Sequence, residues 1–539
     1  MTRILLLRIL CIFLLEEIRA AKILAVFPTP SISHQVVFRP LIHELARRGH
    51  DVTVITTDPV YPPGQAPDNL TEINVHDLSY KIWMEEFFKA TVEDDTITDQ
   101  VSIIMRAVTK ITIDQLKTKD VQDIIQKKKG EFDLLLLEAY VKPALIYSHY
   151  FKAPVNLVSS LGAMKFNYIT VGAPTHPLLY PPFLHQKLYN LTNWEKLQQL
   201  YSHWCIEDNV WKTEQEADKL LKSEFGTDIP TISELSNNVH MLFINMNPVW
   251  VDNQPVPPNV VYIGGIHVMP RKELPKDIQS FLDSSKYGVI YFSLGTNVKT
   301  SALPPGIIQT FVKVFSQLPY DVLWKFDQDV LPGQTKNIKI SKWLPQSDIL
   351  RHPNLKLFIT QGGLQSTDEA ISAGVPLIGI PLLADQWYNV QKYVRHHIGV
   401  QLDIESLTEE KLIKAIETVT GDRRYRENIL RLGKIMIDQP QTPLERAVWW
   451  TEHVLRHGGA AHLRAAGANV SWAQYLEIEL IIIVLSIIIL VLTVIFIALY
   501  TLWKFLRRRI PICTITVDKN TPSDVYVDYM SSTCFCIVI

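Results

Sequence analysis

The sequence of 539 residues is poor in cysteine and lacks two common nucleotide-binding motifs. It has five cysteines, and only Cys205 lies between the apolar segments at its two ends. An intrachain disulfide is therefore excluded from that long central part, whose stability has to come from a hydrophobic core. Neither GxGxxG nor GxxxxGK(S/T) occurs, which argues against a dinucleotide oxidoreductase and a P-loop NTPase.

An excess of charge of either sign is also lacking. The formal net charge is -2, which gives no reason to expect a nucleic-acid partner. Hydrophobic residues make up 47% of the chain and charged residues 20%, a globular balance with a large core. The length predicts two or three domains.

Strand and helix patterns alternate near the start of the chain. Residues 23–27 predict a strand, Ser33 is placed as the N-cap of a helix, and residues 51–57 predict the next strand. This order is the βαβ unit of a parallel sheet, to which residues 133–137 and 155–158 add further strands. Two helical, aromatic and proline-interrupted stretches, at about 80–130 and 160–220, are interpreted as insertions over the edge of that sheet.

A second alternation begins near residue 287. Strands are predicted at 289–293, 322–325, 338–341, 357–360 and 377–380, with helical spacers between them. Two successive α/β units imply two Rossmann-like domains, joined by a proline-containing linker at 247–276.

Both ends of the chain carry membrane-targeting patterns. Residues 1–20 combine arginines, an apolar run and a small-residue exit, as a secretory signal peptide does. Residues 480–502 are uncharged and long enough to cross a bilayer, and Lys504 with the arginines at 507–509 marks the cytoplasmic side. We therefore expect a type I membrane protein with a lumenal part up to residue 479 and a cytosolic tail at 503–539.

The lumenal part contains three glycosylation sequons, at Asn69, Asn190 and Asn469, and we expect one or two of them to be used. The last four residues begin with Cys536 and formally make a prenylation box. The two alternatives to prenylation are palmitoylation of Cys534 or Cys536 and no lipidation of either residue.

Residues 358–386 are the most informative stretch of the sequence. A short apolar strand runs into Gln361, Gly362 and Gly363, after which a helix opens; the amides of its first turn have no partner inside the helix and suit an anionic diphosphate. The next strand ends at Asp385 and Gln386, on the sheet edge where ligands of open α/β sheets bind. The segment therefore predicts a site for a diphosphate joined to a hydroxyl-rich group.

The spacing of this segment resembles the signature of the UDP-glycosyltransferase family, most closely its insect branch. The matching positions are Gln361, Gly363, Ser366, Glu369, Pro376, Pro381, Asp385 and Gln386. The resemblance implies the GT-B architecture: an acceptor-binding domain at 21–265, a UDP-sugar-binding domain at 266–456 whose last helix crosses back onto the first domain, and a stalk at 457–479. Gln361 stands where most animal relatives outside insects have His, so no cation is available at that position.

The resemblance also assigns roles to single residues. It implies that His34 is the general base and that Glu138, where the family usually has Asp, orients it. Ser293, Gly295 and Thr296 form a turn near the phosphates, together with Gln361, Gly362, Gly363 and Ser366. Trp343 and Gln346 would hold the uracil and ribose, Glu369 the ribose hydroxyls, and Asp385 with Gln386 the sugar.

The expected activity is inverting transfer of a hexosyl group, by preference glucose, from a UDP-sugar to a hydroxyl of a small lipophilic acceptor in detoxification or conjugation. The alternatives are a donor such as UDP-glucuronate, a dedicated lipid or sterol acceptor, or a lipophilic-ligand binder without catalysis. No metal or other cofactor is expected, since the adjacent His396 and His397 lack companion ligands. Residence in the endoplasmic reticulum membrane follows from the resemblance alone, and a homo-oligomer stays open.

Overall fold

A computed structural model describes residues 20–90, 97–128, 130–296 and 298–509. The predicted signal peptide up to residue 19 and the tail from residue 510, with its three cysteines, lie outside these residues. The chain divides into two compact units, the first ending at Val470 and the second beginning at Ser471.

The first unit contains two parallel sheets. The first sheet has seven strands in the order β3-β2-β1-β4-β5-β6-β7. They are β1 (Lys22–Phe27), β2 (Asp51–Thr56), β3 (Leu70–Asn74), β4 (Leu134–Glu138), β5 (Val155–Ser159), β6 (Val239–Ile244) and β7 (Val260–Tyr262). Strands such as β4, with the sequence LLLLE, are buried along their whole length because helices cover both faces of a parallel sheet.

The second sheet has six parallel strands in the order β10-β9-β8-β11-β12-β13. They are β8 (Val289–Ser293), β9 (Asp321–Lys325), β10 (Ile338–Ser341), β11 (Leu355–Thr360), β12 (Leu377–Gly379) and β13 (Gly399–Gln401). The two doubly wound sheets confirm the predicted pair of Rossmann-like folds.

The helices fill the connections between the strands. In the first half they are α1 (Ile32–Arg47), α2 (His76–Ala90), α3 (Ile97–Leu116), α4 (Lys119–Lys127), α5 (Ile146–Phe151), α6 (Lys165–Val171), α7 (Asn193–Phe225) and α8 (Ile232–Leu235). In the second half they are α9 (Lys276–Ser284), α10 (Pro305–Gln317), α11 (Gln346–Leu350), α12 (Leu364–Ala373), α13 (Gln386–Arg395), α14 (Glu409–Gly421), α15 (Arg423–Ile437) and α16 (Pro443–His457). Short 3-10 turns lie at Lys142–Leu145, Ser236–Asn238, Pro248–Val251, Thr300–Ala302 and Ala461–Leu463.

Two predicted boundaries differ from the structure. The N-cap of α1 is Ser31, in extended backbone, and not Ser33, which lies inside the first turn. The predicted linker at 247–276 is partly structured, because β7 lies within it and completes the first sheet.

The last helix of the first unit, α16, returns to the first sheet as the resemblance implied. Its residues Ala447 and Val448 are fully buried in one core with Val37 and Leu41 of α1. Arg48 beyond α1 and Glu452 of α16 form an ion pair of 3.0 Å. The segment predicted as a stalk is packed as far as residue 470: the Asn469 amide donates to the Ile169 carbonyl at 3.1 Å.

The second unit contains the short helix α17 (Trp472–Tyr475) and the 32-residue helix α18 (Ile478–Arg509). Within the described part of the chain, α18 is the one helix long and apolar enough to cross a membrane. Its length is about 48 Å at 1.5 Å per residue, more than the hydrocarbon core requires.

Candidate active site

The candidate site lies where each sheet reverses its strand order, between β1 and β4 in the first and between β8 and β11 in the second. The loops at the carboxyl ends of these neighbouring strands diverge, which opens a crevice for a ligand. His34 follows β1 and Glu138 ends β4. Gly295 follows β8 and Gln361 follows β11. The predicted residues therefore gather at the two places where this topology puts ligands.

His34 and Glu138 form a hydrogen-bonded pair. The Nδ1 atom of His34 is 2.9 Å from Oε1 of Glu138, whose side chain is fully buried. The other carboxylate oxygen accepts the Thr29 amide at 3.1 Å, so the acid is fixed at both oxygens. Because the carboxylate accepts the Nδ1 proton, a neutral His34 ring carries its lone pair on Nε2. The extra methylene of Glu, relative to the usual Asp of the family, does not prevent the contact.

His34 is the third residue of α1, one turn after the N-cap Ser31. Its amide donates to the Ser31 carbonyl at 3.0 Å. The positive end of the helix dipole lies at this turn. Glu138 supplies the opposite charge, which stabilises a cation formed transiently on the ring.

Two glycine turns bring the loops of the second sheet together. Gly295 has φ +78°, and a Cβ atom there would lie 2.2 Å from Nε2 of Gln361. Gly362 has φ +91°, and its Cβ would lie 2.5 Å from Val390 Cγ2. Both positions require glycine for backbone conformation and for space. The side chain of Gln361 therefore lies between the two turns, with its buried Oε1 lacking a partner among the described residues.

The start of α12 offers fewer amides to a ligand than predicted. The Gly362 amide donates to Thr360 Oγ1 at 3.3 Å, and the Leu364 amide donates to Asp385 Oδ2 at 3.2 Å. In the described part of the chain, the amides of Gln365 and Ser366 have no acceptor in the first helical turn. The Gly362 and Leu364 amides are thus engaged within the protein, which leaves a smaller set for the predicted diphosphate.

Gln346, the first residue of α11, joins several of the predicted residues. Its Nε2 donates to Ser366 Oγ at 2.9 Å and to Glu369 Oε2 at 2.7 Å. Its Oε1 accepts the Tyr291 hydroxyl at 3.2 Å. Burial raises the pKa of Glu369 to about 7, against the hydrogen bond from Gln346. The amide of Gln346 therefore positions both the Ser366 hydroxyl, predicted near the phosphates, and the Glu369 carboxyl, predicted to face the ribose.

The indole of Trp343 is 65% exposed, so it is not a core residue. The ammonium of Lys325, at the end of β9, lies 5.0 Å from the indole ring centroid. The same ammonium donates to the Gly295 carbonyl at 2.8 Å. Trp343 is thus supported on one side and keeps aromatic surface available for stacking a planar base. Ser293 is buried and accepts the Gly295 amide at 3.3 Å, whereas Thr296 is exposed.

Asp385 and Gln386 begin α13 and are held by different partners. Burial raises the pKa of Asp385 to about 6, while Asn389 and the Leu364 amide donate to its Oδ2 at 2.8 and 3.2 Å. Gln386 accepts two backbone amides on its Oε1, which orients its NH2 group away from them. The two halves of the site are close in space, because the side-chain amide of Gln365 on α12 donates to the Ser160 carbonyl, just beyond β5, at 3.0 Å.

Sequence reasoning missed Asn389 and Trp250. Asn389 lies one turn after Asp385 and donates to both Asp385 Oδ2 and the Gly362 carbonyl. Its Oδ1 accepts the indole N–H of Trp250, a fully buried residue from the connection between β6 and β7. The four-residue spacing from Asp385 was the available signal for Asn389; the partner 139 residues away gave none.

A pocket lies near the His34 pair. Tyr140 connects them: its ring centroid is 6.2 Å from that of His34 and 6.0 Å from that of Phe183 in the pocket wall. The lining residues come from the second insertion, from the connection between β6 and β7, and from α13; they include Gly162, Lys165, Tyr168, Pro177, Tyr180, Pro181, Pro182, Phe183, His203, Met246, Val251 and Tyr388. Most of this lining is aromatic or apolar, which suits a lipophilic compound.

The three sequons differ in their surroundings. The Asn69 amide nitrogen donates to the carbonyls of Ala46 and His50 at 2.5 and 2.9 Å, so its attachment atom is engaged. Asn469 donates to Asn237 Oδ1 at 2.9 Å, and Asn190 is exposed. In the described residues, no group of three or more His, Cys, Asp or Glu side chains is arranged to hold a metal ion.

Two Rossmann-like sheets with these residues at their reversal points define the GT-B class of glycosyltransferases. Solved structures of that class share the fold. The glycosyltransferase of kitacinnamycin has a TM-score of 0.55 at 17% identity over 82% of this chain and 99% of its own. A UDP-glucose: anthocyanidin 3-O-glucosyltransferase in complex with UDP has a TM-score of 0.53 at 16% identity, over 81% and 99%.

The chain belongs to the UDP-glucoronosyl and UDP-glucosyl transferase family, whose profile matches residues 21–511. An ecdysteroid UDP-glucosyltransferase of Spodoptera littoralis nuclear polyhedrosis virus is 35% identical over 88% of this chain and 96% of its own length. UDP-glucosyltransferase 2 of Dactylopius coccus is 35% identical over 88% and 91%. The family, the resemblance to insect members and the enzyme class are thereby confirmed.

Proposed function

We propose that this enzyme transfers glucose from UDP-glucose to a hydroxyl group of a small lipophilic acceptor, with inversion at the anomeric carbon. His34 is the general base and Glu138 its positioning residue. The observation that carries the proposal is the 2.9 Å contact between His34 Nδ1 and the buried Glu138 carboxylate beside an apolar pocket. A protein that only binds ligands needs no such pair, which argues against the non-catalytic alternative.

In the proposed reaction the Nε2 lone pair of His34 takes the proton of the acceptor hydroxyl. The acceptor oxygen attacks C1 of glucose, the bond between C1 and the diphosphate oxygen breaks, and UDP leaves with the electron pair. Glu138 stabilises the imidazolium formed during transfer. The free amides at the start of α12, with the Ser366 hydroxyl, stabilise the leaving diphosphate. The step uses no metal ion.

In this proposal, Asp385 determines which UDP-sugar the enzyme prefers as donor. Because its pKa is about 6, Asp385 is mostly ionised near pH 7, and a buried carboxylate repels the carboxylate of a glucuronate donor. Glu369 and Gln346 would hold the ribose, and Trp343 would stack on the uracil. The names of the relatives, which include UDP-glucosyltransferases, support the same donor.

The acceptor is assigned to the pocket beyond Tyr140. Its aromatic and proline-rich lining suits a steroid, phenol or comparable alcohol, and an ecdysteroid is the acceptor named for several relatives. We further propose a type I arrangement in the endoplasmic reticulum membrane, with the first unit in the lumen and α18 as the anchor. The arginines at the end of α18 support its cytosolic side. Conjugation of lipophilic compounds is the corresponding role.

The test is a transfer assay with the full-length protein in vesicles, using UDP-glucose and UDP-glucuronate against a panel of phenols, sterols and an ecdysteroid. His34→Gln is expected to lower kcat by about 10³-fold while UDP affinity is unchanged, because the variant loses only the proton acceptor. His43→Gln, on the same helix, is the control and should turn over normally.

Normal turnover by His34→Gln would overturn the base assignment. Binding of UDP by the unchanged protein without transfer to any acceptor would favour the binder. Glu138→Gln should lower kcat by about 10²-fold, since it removes the negative charge that stabilises the His34 imidazolium. KM for UDP-glucose should stay unchanged, since Glu138 does not contact the donor in the proposed arrangement.

A further inference from the structure

Helix α7 has two different faces. Its inner face packs into the first unit through Ile206, Val210, Ala217 and Leu221, all buried. Its outer face carries six large apolar side chains that are between 42% and 68% exposed. We call this set the outer stripe: Trp194, Leu197, Leu200, Tyr201, Trp204 and Trp211.

The spacing of the outer stripe places its members on one side of the helix. Steps of three, four and three residues lead from Trp194 through Leu197 and Tyr201 to Trp204, and a step of seven leads to Trp211. The stripe is about 25 Å long at 1.5 Å per residue. The outward face of a helix on a soluble domain is normally polar, and a contiguous apolar patch marks an interaction surface.

The composition of the stripe indicates what it contacts. Three of its members are tryptophan and one is tyrosine, the side chains that concentrate at the boundary between lipid headgroups and acyl chains. Helix α7 carries four lysines against seven acidic residues. Two lysines near the stripe are paired: Lys212 with Asp208 at 2.6 Å and Lys187 with Glu195 at 2.5 Å. No excess of positive charge is therefore present to select anionic lipids, and a zwitterionic surface fits better.

The covalent chain joins the first unit to the apolar helix α18 by a short connection. The first unit ends at Val470 and the apolar helix begins at Ile478, so seven residues join them. At no more than about 3.5 Å per residue this connection spans at most about 25 Å. A tether of this length gives a high effective concentration of bilayer surface, and weak interfacial contacts then suffice for binding.

We propose that the outer stripe of α7 binds the surface of the zwitterionic bilayer that α18 would span. The first unit is thus attached at two places, by a spanning helix and by an interfacial one. His203, on the same helix, lines the candidate acceptor pocket. If the proposed function holds, this contact places the pocket wall at the membrane in which the acceptor dissolves.

The first experiment uses the full-length protein in phosphatidylcholine vesicles. Benzoylphenylalanine is introduced in separate variants at Leu197 and Trp204 of the stripe, and as a control at Glu417, an exposed position of α14. Irradiation is expected to give at least about tenfold more lipid adduct at the two stripe positions than at the control. Equal adducts at all three positions, or crosslinks between two copies of the chain at the stripe, would overturn the proposal.

The second experiment measures the strength of the contact. A protease site is inserted after Glu477, the folded full-length protein is reconstituted and cleaved, and the vesicles are sedimented. The released first unit should stay with the vesicles, at low and high salt alike, because its binding is not ionic. The combined variant Trp194→Gln, Trp204→Gln and Trp211→Gln should bind at least about tenfold more weakly.

The control for the second experiment is Trp449→Gln, which removes an exposed tryptophan from α16 and should bind as the unchanged protein does. Retained UDP binding and an unchanged unfolding temperature verify the fold of the combined variant. Sedimentation of that variant equal to the unchanged protein contradicts the proposal, whether or not the enzyme is active. A lack of transfer activity alone does not bear on the contact between the outer stripe and the bilayer. The proposed function and the proposed membrane contact can therefore be refuted independently.

Discussion

Three carboxylic acids around α12 are buried and therefore disfavour ionisation. Burial raises the pKa of Asp368 to about 8, that of Glu369 to about 7 and that of Asp385 to about 6. Glu369 and Asp385 have side-chain hydrogen-bond donors, whereas Oδ2 of Asp368 has no partner among the described residues. Substitutions at the three positions should therefore change the pH dependence of stability and of activity in different ways.

Asp368→Asn is expected to stabilise the protein increasingly as the pH rises from about 4 to about 8. The folded-state pKa of Asp368 is raised, so the folded protein holds a proton that the unfolded chain releases, and stability falls with rising pH across this window. The slope is at most about 1.4 kcal/mol per pH unit for one group. Thermal unfolding at pH 5 and pH 8 measures it; a gain of equal size at both pH values would contradict the assignment.

Asp385→Asn is expected to lower kcat/KM for UDP-glucose by about 10²-fold or more, since a charged hydrogen-bond acceptor is lost from a buried site. The ratio of UDP-glucuronate to UDP-glucose turnover should rise because the repelling charge is gone. In the unchanged enzyme the same ratio should rise as the pH falls through about 6. Initial rates with both donors from pH 5 to pH 8 provide the measurement, and the variant should show no such pH dependence of the ratio.

At the scale of elements, the site depends on two turns that approach each other closely. The turn after β8 and the turn after β11 meet at Gly295 and Gln361, and neither leaves room for a Cβ at its glycine. The strands fix where the turns lie through backbone hydrogen bonds, which do not depend on the side chains. The specificity of the site therefore resides in the short segments that follow the strands.

Gly295→Ala is expected to weaken UDP binding by at least about tenfold. The new Cβ would lie 2.2 Å from Gln361 Nε2, and φ +78° strains any residue other than glycine. Calorimetric titration with UDP measures the loss. Gly306→Ala is the matched control, since open space surrounds that position at the start of α10, and it should bind UDP normally. Unchanged affinity in the first variant would show that the two turns can separate.

Most strands were predictable because they are continuous apolar runs, which a doubly covered parallel sheet demands. Four strands were not predicted: β3, β6, β7 and β13. Three of them, β3, β7 and β13, are short strands at the edges of their sheets. The fourth, β6, is apolar and lies inside the first sheet, but it follows a long helical stretch that interrupts the alternation of strands and helices. The motif residues of the site were located by their spacing. The contacts of Asn389 with Trp250 and of Gln346 with Tyr291 were not predictable, because they join segments distant in sequence.

At the scale of the whole molecule, a buried ion pair joins the two halves of the first unit. Lys392 on α13 is fully buried and lies 2.7 Å from Asp252, in the connection between β6 and β7 of the first sheet. The Lys392 ammonium also donates to the Tyr189 hydroxyl at 3.1 Å. Burial lowers the pKa of Lys392, and Asp252 opposes that shift. The same helix begins with Gln386 of the candidate donor site.

Asp252→Ala is expected to destabilise the protein by about 2–3 kcal/mol, because it leaves a buried ammonium without its counter-ion. Lys392→Met should cost less, about 1 kcal/mol or under, since Asp252 is one-third exposed and can be solvated. Urea denaturation of the two single variants and of the double variant gives the coupling between them. Equal costs for the two single variants would show that Lys392 is not the buried partner.

Helix α16 brings the end of the first unit back to the first sheet. Chain segments on both sides of the second sheet are fastened to the first: β7 is one of its strands, and Arg464, beyond α16, donates to the Val239 carbonyl at 3.2 Å. The chain that leads to α18 therefore leaves from the half that contains the first sheet. If the proposed function holds, exchange of UDP for a new donor turns the half that contains the second sheet about the two chain segments that join it to the first.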